Sequence, residues 1–385
     1  MSMSFANSLA GSVVAITAAS AVQADVPRVA TDIAPVHGLV ARVMEGLGTP
    51  DLVVQPGASP HNYSMRPSEA QALEQADAVF WVGSELAPWL SDSIGTLASG
   101  ARVVELLDVD GITTLDYREG ATFEGHDHAH DGEEHADHDH AHEGEEHADH
   151  DHAHDDEEHA DHDHAHDGEE HANHDHAHDG EEHADHDHAH DGEEHADHDH
   201  AHEGEDHAGH SHEGVDTHAW LDPENGKIWL NVIAAELAEL DPENAETYRD
   251  NAAAGQAEID AAMAEAEDTL SAAGEISFVV FHDAYHYFEN RFGLAAAGAI
   301  SLSDATDPSP ARVEEVRDTI RDLEVRCVFA EPQFNQDLVA VVSEGTDAQA
   351  AVIDPLGFDL QMGPGFYPDL IRTVADSIAG CGSAS

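Results

Sequence analysis

The chemistry of this chain is concentrated in its histidines. Residues 126–212 repeat the twelve-residue unit HDHAHDGEEHAD seven times, from His126 through Gly209, and end in His210-Ser211-His212; this stretch holds 30 of the 35 histidines. Its opening carries His126, His128, His130, His135, His138, His140 and His142. Imidazole is the commonest side-chain ligand for zinc-class metals, and carboxylates add oxygen donors and negative charge. Between the histidines of the seven units stand only Asp, Glu, Gly, Ala and one Asn. Such a segment has nothing to bury and is expected to be disordered until something binds it. A solvated acidic spacer needs charge but no histidine, so the repeats read as a flexible, many-site trap for divalent transition metal.

Three further histidines stand singly. His61 lies in Gln55-Pro-Gly-Ala-Ser-Pro-His-Asn-Tyr, directly after a predicted strand. His218 lies in Asp216-Thr-His-Ala-Trp-Leu-Asp-Pro, and His282 closes the predicted strand Phe278 to Phe281. In open α/β sheets, ligands bind at the carboxyl ends of strands, so these positions can converge. Spacing alone leaves each of them open between ligand and packed or capping residue.

The elements that position them follow a βα rhythm. Predicted strands begin at Arg28, Asp51, Ala78 and Arg102, with helices over His37 to Leu47, Pro67 to Gln75 and Leu86 to Leu97. After the repeats, structure resumes near Val215, with a helix from Glu224 to Leu240. A second helix, rich in Ala and Glu, runs from Asp241-Pro242 to Gly274 and reaches about 45 Å at 1.5 Å per residue. Strands then return at Ser277, Ala297, Cys327 and Ala351, with helices from Ala284, Pro310, Asp337 and Tyr367. Strands alternating with helices predict parallel sheets with helices on their faces. The expected organisation is an export signal at 1–24, an α/β lobe at 25–240 hosting the repeats, a linking helix at 241–274, and a second α/β lobe at 275–385. A long surface insert is compatible with a folded host, because loop-closure entropy grows only logarithmically.

Composition narrows the partners. The chain has 82 acidic and 13 basic residues, and the repeats account for 34 of the acids and none of the bases. The remainder is still strongly acidic, which argues against nucleic acid and anionic membrane surfaces and fits exposure to high salt. The apolar stretch Gly11 to Ser20 precedes Ala21-Val22-Gln23-Ala24, whose small residues suit cleavage before Asp25, although no Lys or Arg precedes it. An exported, soluble mature protein with no membrane insertion is expected. The two cysteines, Cys327 and Cys381, read by default as a disulfide in an oxidising compartment, worth about 4 kcal/mol in the chain-entropy model. Two buried thiols are the alternative.

At this point a family resemblance becomes specific. The segments PGASPHNYSMRPSEA, ADAVFWVG, DTHAWLDPENG, VVFHDAYHYFENRFGL, VFAEPQF and IDPLGFD resemble those of the ZnuA-like receptors, the zinc-binding components of bacterial ABC zinc importers. The resemblance covers essentially the whole chain after residue 24, and a histidine-rich insert before the second histidine motif is itself common in such receptors. It implies two lobes bridged by a rigid helix, one Zn2+ held by His61, His218 and His282, and pairing of Cys327 with Cys381. It further implies a periplasmic, monomeric protein that docks transiently on an inner-membrane zinc permease and catalyses no reaction. Related manganese receptors tend to have a carboxylate where this chain has His282, and imidazole there favours zinc. Some members have Glu immediately before the first histidine, where this chain has Pro60. Asp354 matches the place where relatives supply a carboxylate and is the expected fourth ligand; water or a repeat histidine are the alternatives.

Weaker expectations attach to other residues. His286 falls four residues after His282 and is read as packing rather than chelating, and His37 as structural. Glu331 is a candidate to orient the site, since ligating imidazoles usually donate to a carboxylate or carbonyl. Trp81, Trp89, Trp220 and Tyr285 read as lobe cores. Two competing functions are a zinc hydrolase, for which no HExxH motif is present, and a storage protein whose repeats are the main function. Deleting residues 126–212 separates receptor from store.

Overall fold

The protein is described by a computed structural model covering residues 26–118, 122–123, 214–301 and 308–383. The expected export segment and its cleavage point, and the repeats with His126, His128, His130, His135, His138, His140 and His142, lie outside the described residues.

Two sheets of four strands each form the frame. The first contains β1 (Val29–Thr31), β2 (Asp51–Leu52), β3 (Ala78–Trp81) and β4 (Arg102–Glu105) in the order β2-β1-β3-β4. The second contains β5 (Phe278–His282), β6 (Gly298–Ser301), β7 (Cys327–Ala330) and β8 (Gln349–Val352) in the order β6-β5-β7-β8. All six pairings are parallel, so each lobe repeats one doubly wound pattern, with its first strand beside the point where the strand order reverses. The expectation of two parallel α/β lobes holds.

Side-chain alternation explains how each central strand serves two layers. On β5, Phe278 and Val280 enter the large core while Val279 and Phe281 enter a smaller outer one. On β3, Ala78 and Phe80 face the large core while Val79 and Trp81 face a second outer cluster. Burial on both faces is why these strands read as continuous apolar runs. Each is covered by helices: α1 (Ala34–Val43), α2 (Pro67–Gln75) and α3 (Pro88–Leu97) in the first lobe, and α6 (His286–Phe292), α7 (Pro310–Asp322) and α8 (Asp337–Ser343) in the second.

Between them run α4 (Pro223–Leu240), α5 (Ala245–Ala273) and α9 (Phe366–Ser383). Helix α5 packs against α4 and α1 and also against α9. Its buried stripe, Tyr248, Ala252, Gly255, Ile259, Ala262, Ala266 and Leu270, recurs at helical spacing and is mostly small, which brings its neighbours close. It stops at Gly274, whose φ of 74° suits glycine. Gly226 in α4 has no room for a side chain, because a Cβ there would stand 2.5 Å from the hydroxyl of Tyr367 in α9. Cys327 and Cys381 form a disulfide across a separation of 54 residues, tying α9 to β7.

Beyond Arg118, Thr122 and Phe123 still pair with Gly298 and Ala297 at the start of β6, and where description resumes at Gly214 the chain lies against the residues before Arg118. Asp116 and Val215 form an antiparallel bridge, and the amide of Tyr117 donates to the carbonyl of Gly214 at 3.2 Å. An insert whose ends are already adjacent leaves the host's strand pairing intact. Among the described residues no helix is long and apolar enough to cross a membrane.

Candidate metal centre

Each of the three singly placed histidines is held by its own local device. His61 sits in the loop between β2 and α2. Its amide donates to Ser59 Oγ at 3.3 Å, and the Trp89 indole N–H donates to the carbonyl of Pro60 at 2.7 Å, fixing the loop one residue before the imidazole. The far end of the loop is fastened by Glu69, which accepts from the Arg66 amide at 2.6 Å and the Tyr63 hydroxyl at 2.9 Å.

His218 precedes a 3₁₀ turn, Ala219–Leu221, and Asp222 then caps α4 by accepting from the Glu224 amide at 3.0 Å. The carboxylate of Asp216, almost fully buried, accepts from the amide of His218 at 3.0 Å and lies 2.7 Å from its Nδ1. Asp216 is itself fastened: its amide donates to the carbonyl of Leu115, and its carbonyl accepts from the Tyr287 hydroxyl at 2.7 Å. His282 is the last residue of β5, and its Nδ1 lies 2.8 Å from Oε1 of the buried Glu331, which follows β7. Adjacent parallel strands therefore deliver an imidazole and its carboxylate at the same sheet edge.

These placements bring the three rings together. The ring centroids of His61 and His218 are 5.7 Å apart, and those of His218 and His282 are 5.2 Å apart. Nε2 of His218 and Nε2 of His282 face each other at 3.3 Å. With each Nδ1 against a carboxylate, Nδ1 carries the proton and Nε2 presents its lone pair. Two such lone pairs repel unless a proton or a metal cation stands between them. Tetrahedral zinc with Zn–N of 2.0–2.1 Å sets its ligand nitrogens about 3.3 Å apart, so this pair already has the spacing the ion requires. The rings border a cavity of about 10 Å³, room for roughly one water-sized sphere. Its walls include Pro60, Trp220, Phe334, Pro355 and Leu356, apolar surfaces that strip water from whatever enters. Among the described residues no three His, Cys, Asp or Glu side chains already form a closed cage. His218 and His282 are a matched pair, and His61 lies beside His218, with 5.7 Å between their ring centroids.

Asp354 is not brought into this group. It does not border the cavity; Oδ1 accepts from the Leu356 amide at 2.9 Å and the Gln333 side chain at 2.8 Å, and Oδ2 accepts from the Phe358 amide at 2.5 Å. The strand expected to run into Asp354 ends at Val352, leaving Asp354 in the following turn. Nor does His286 share a helix with His282, because α6 begins at His286. Its Nδ1 stands 3.9 Å from Oδ2 of Asp216, and burial, then the charge of Arg118, lowers its pKa. His37 is structural, as expected: buried in α1, it sets Nε2 3.1 Å from the carbonyl of Pro50. Trp81 lies wholly in core, whereas Trp220 is both core and cavity wall, its ring 5.2 Å from that of His218.

Three contributors escaped the sequence. Asp216 stands two residues before His218, and a carboxylate that close to a candidate ligand was the available signal. Gln333 gave none. Arg118 pairs with Asp283 and Glu289, its guanidinium lying over the Phe123 ring at 3.8 Å. Burial disfavours its charge, but hydrogen bonds to Asp283 and Glu289 outweigh this and raise its pKa. Since Asp283 follows His282 directly, this clamp joins the edge of the repeat segment to the strand bearing His282.

Comparison with known proteins places the whole fold in one family. The family described as ZnuA, zinc-uptake complex component A periplasmic, matches residues 29–381. The high-affinity zinc uptake system protein ZnuA of Brucella abortus (strain 2308) is 40% identical over 353 residues, covering 92% of this chain and 91% of the relative. Its namesake in Paracoccus denitrificans (strain Pd 1222) is 38% identical over 366 residues, covering 95% and 94%. A crystal structure of a ZnuA deletion mutant with zinc bound shares the fold, with a TM-score of 0.62 at 20% identity over 94% of this chain and all of that one. The chain belongs to the ZnuA family.

Proposed function

We propose that this protein is a periplasmic receptor that captures Zn2+ between its two lobes and delivers it to an inner-membrane ABC permease. The observation that carries the reading is the facing pair of imidazole nitrogens, His218 Nε2 and His282 Nε2, 3.3 Å apart, each backed through Nδ1 by a buried carboxylate. His61 supplies the third nitrogen after a small approach of its loop. Water completes a tetrahedron, since the Asp354 carboxylate does not border the cavity. Imidazole donors with no carboxylate in direct contact suit zinc better than manganese.

Binding follows from solvent exclusion and pre-set spacing. The apolar walls lower the local dielectric, the oriented imidazoles replace the lost hydration, and the loaded form is what the permease recognises. The long α5, packed on helices of both lobes, limits release to a small displacement rather than a wide hinge opening. The repeats act as accessory sites that are weaker and faster to exchange, held open to protons because free histidines titrate near pH 6.5.

Calorimetric zinc titration tests this on three proteins: the full mature chain, a version lacking residues 126–212, and the triple variant His61→Ala, His218→Ala, His282→Ala. The shortened protein is expected to keep one tight event and the triple variant to lose it. Tight binding that vanishes with the repeats and survives the triple change would make the repeats the functional centre.

A further inference from the structure

The turn after β8 carries features that zinc ligation does not use. Asp354 holds this turn with three hydrogen bonds, from Leu356, Gln333 and Phe358. A second tie comes from Trp220, whose indole N–H donates to the carbonyl of Pro355 at 2.8 Å while its ring packs on His218. Gln333 in turn lies two residues beyond Glu331, the partner of His282. Thus Pro355 and Leu356 are fixed as cavity wall from both ends.

The turn then projects Phe358, which remains 45% exposed. Its ring lies on Gly57, in the loop that carries His61: a Cβ at Gly57 would stand 2.9 Å from Cε2 of that ring. Gly57 also has φ of +84°, so a side chain there is excluded by conformation and by the phenyl ring together. An aromatic ring left half in water, resting on bare backbone of the opposite loop, bridges the two segments that border the site.

We propose that Asp354 is a positioning residue rather than a zinc ligand, and that it holds Phe358 against Gly57 as a latch controlling metal exchange at the His61 side. This rests on the receptor reading above. Asp354 does not border the cavity, so for it to reach a metal there the turn held by its bonds to the Leu356 and Phe358 amides has to shift and carry with it the wall that Pro355 and Leu356 provide. Held as it is, it sets how tightly the loop bearing His61 is kept closed.

The test compares Phe358→Ala, Asp354→Asn and the double variant with the wild-type full chain. Two quantities are read at one equivalent of metal, where the tight site fills before the weaker repeats: the visible absorption of bound Co2+, which reports the ligand set, and the rate of Zn2+ release to excess chelator. Phe358→Ala changes a half-exposed side chain and is expected to fold. Release should quicken about five- to tenfold, the factor expected from losing roughly half the burial of one phenyl ring. Asp354→Asn should quicken release as well, with the cobalt spectrum unchanged in band position and intensity. The double variant should release no faster than the faster single, because both changes open one contact. A shifted or weakened cobalt spectrum in Asp354→Asn makes Asp354 a ligand and overturns the proposal. An unchanged release rate in Phe358→Ala overturns the latch. A wild-type chain with no Co2+ spectrum dependent on His61, His218 and His282 overturns the receptor reading, and the latch with it.

Discussion

Replacing Asp216 should weaken zinc binding without removing any ligand. Its Oδ1 lies 2.7 Å from His218 Nδ1 and 3.0 Å from the His218 amide, inside a site where Asp216 is 1% exposed. The carboxylate fixes the tautomer with Nε2 unprotonated, orients the ring toward His282, and makes Nε2 more basic. Hydrogen bonds to charged groups contribute about 1.5–3 kcal/mol each, and outer partners of ligating histidines typically change metal affinity about 10- to 100-fold. Asp216→Asn keeps an oxygen acceptor and loses the charge, so it belongs near the tenfold end. Asp216→Ala loses acceptor and charge and belongs near a hundredfold, about 2.7 kcal/mol. The assay is competition against a chelator strong enough to strip the weaker histidine sites, with circular dichroism confirming that the variants are folded. A folded Asp216→Ala that binds zinc within about threefold of wild type would refute the argument that buried carboxylates set the strength of this site.

Two further outcomes follow from other buried groups. Arg118→Met leaves Asp283 and Glu289 buried beside one another with no cation, and should destabilise the apo protein by about 3–5 kcal/mol in urea unfolding. A loss under about 1 kcal/mol would show the clamp to be a surface-strength pair. His37 has its pKa lowered by burial, partly offset by the Pro50 carbonyl and Asp51. The folded state therefore holds fewer protons than the unfolded one, so this contribution is complete above about pH 6.5 and is lost as pH falls toward the lowered value. His37→Gln should flatten part of the fall in melting temperature between about pH 7.5 and 5.5, with His286 retaining a share of the slope. An unchanged slope would remove His37 from the account.

How much of this was legible in the sequence depended on the range of the cause. Elements governed by local chemistry were readable: α2 begins at Pro67 and α5 stops at Gly274, as the proline and glycine boundaries indicate. The two-layer strands β3 and β5 were readable as short, continuously apolar runs. Edges were less so. The strand expected from Ala351 runs instead from Gln349 to Val352, because a half-exposed edge strand has weak alternation and its register comes from pairing with β7. That shift is what removes Asp354 from a strand end and places it in a turn. The 3₁₀ turn after His218 is too short to show periodicity. Of the two carboxylates behind the His218–His282 pair, Glu331 was named from the sequence although it lies 49 residues from its histidine and reaches it only because β5 and β7 are neighbours, while Asp216, two residues from its own, was passed over. The Arg118–Asp283 contact spans 165 residues, beyond any local pattern.

The three imidazoles are also unequal in how firmly they are set. The His218 segment is tied to the second lobe by Tyr287 on the Asp216 carbonyl, by Trp220 on Pro355, and by Arg291, which contacts the Asp222 carboxylate twice at 2.8 Å. It is tied to the first through the Asp216 amide on the Leu115 carbonyl and Asn225 on Thr113. His282 belongs to that lobe's central strand and Glu331 to the end of its neighbour. On the receptor reading, these ties keep His218 beside His282 and both carboxylates when the loop bearing His61 moves. His61 rides on a loop of the other lobe, tied there by Trp89 and Glu69. On the receptor reading, capture is the approach of one imidazole to a preformed two-nitrogen seat, and release is its withdrawal. Two ligands hold zinc less tightly than three, so a displacement confined to one loop is enough to convert a tight site into one that surrenders its ion. That economy of motion accords with a frame in which α5 packs against helices of both lobes, and it gives the contact between Phe358 and Gly57 its place, on the one segment that has to move.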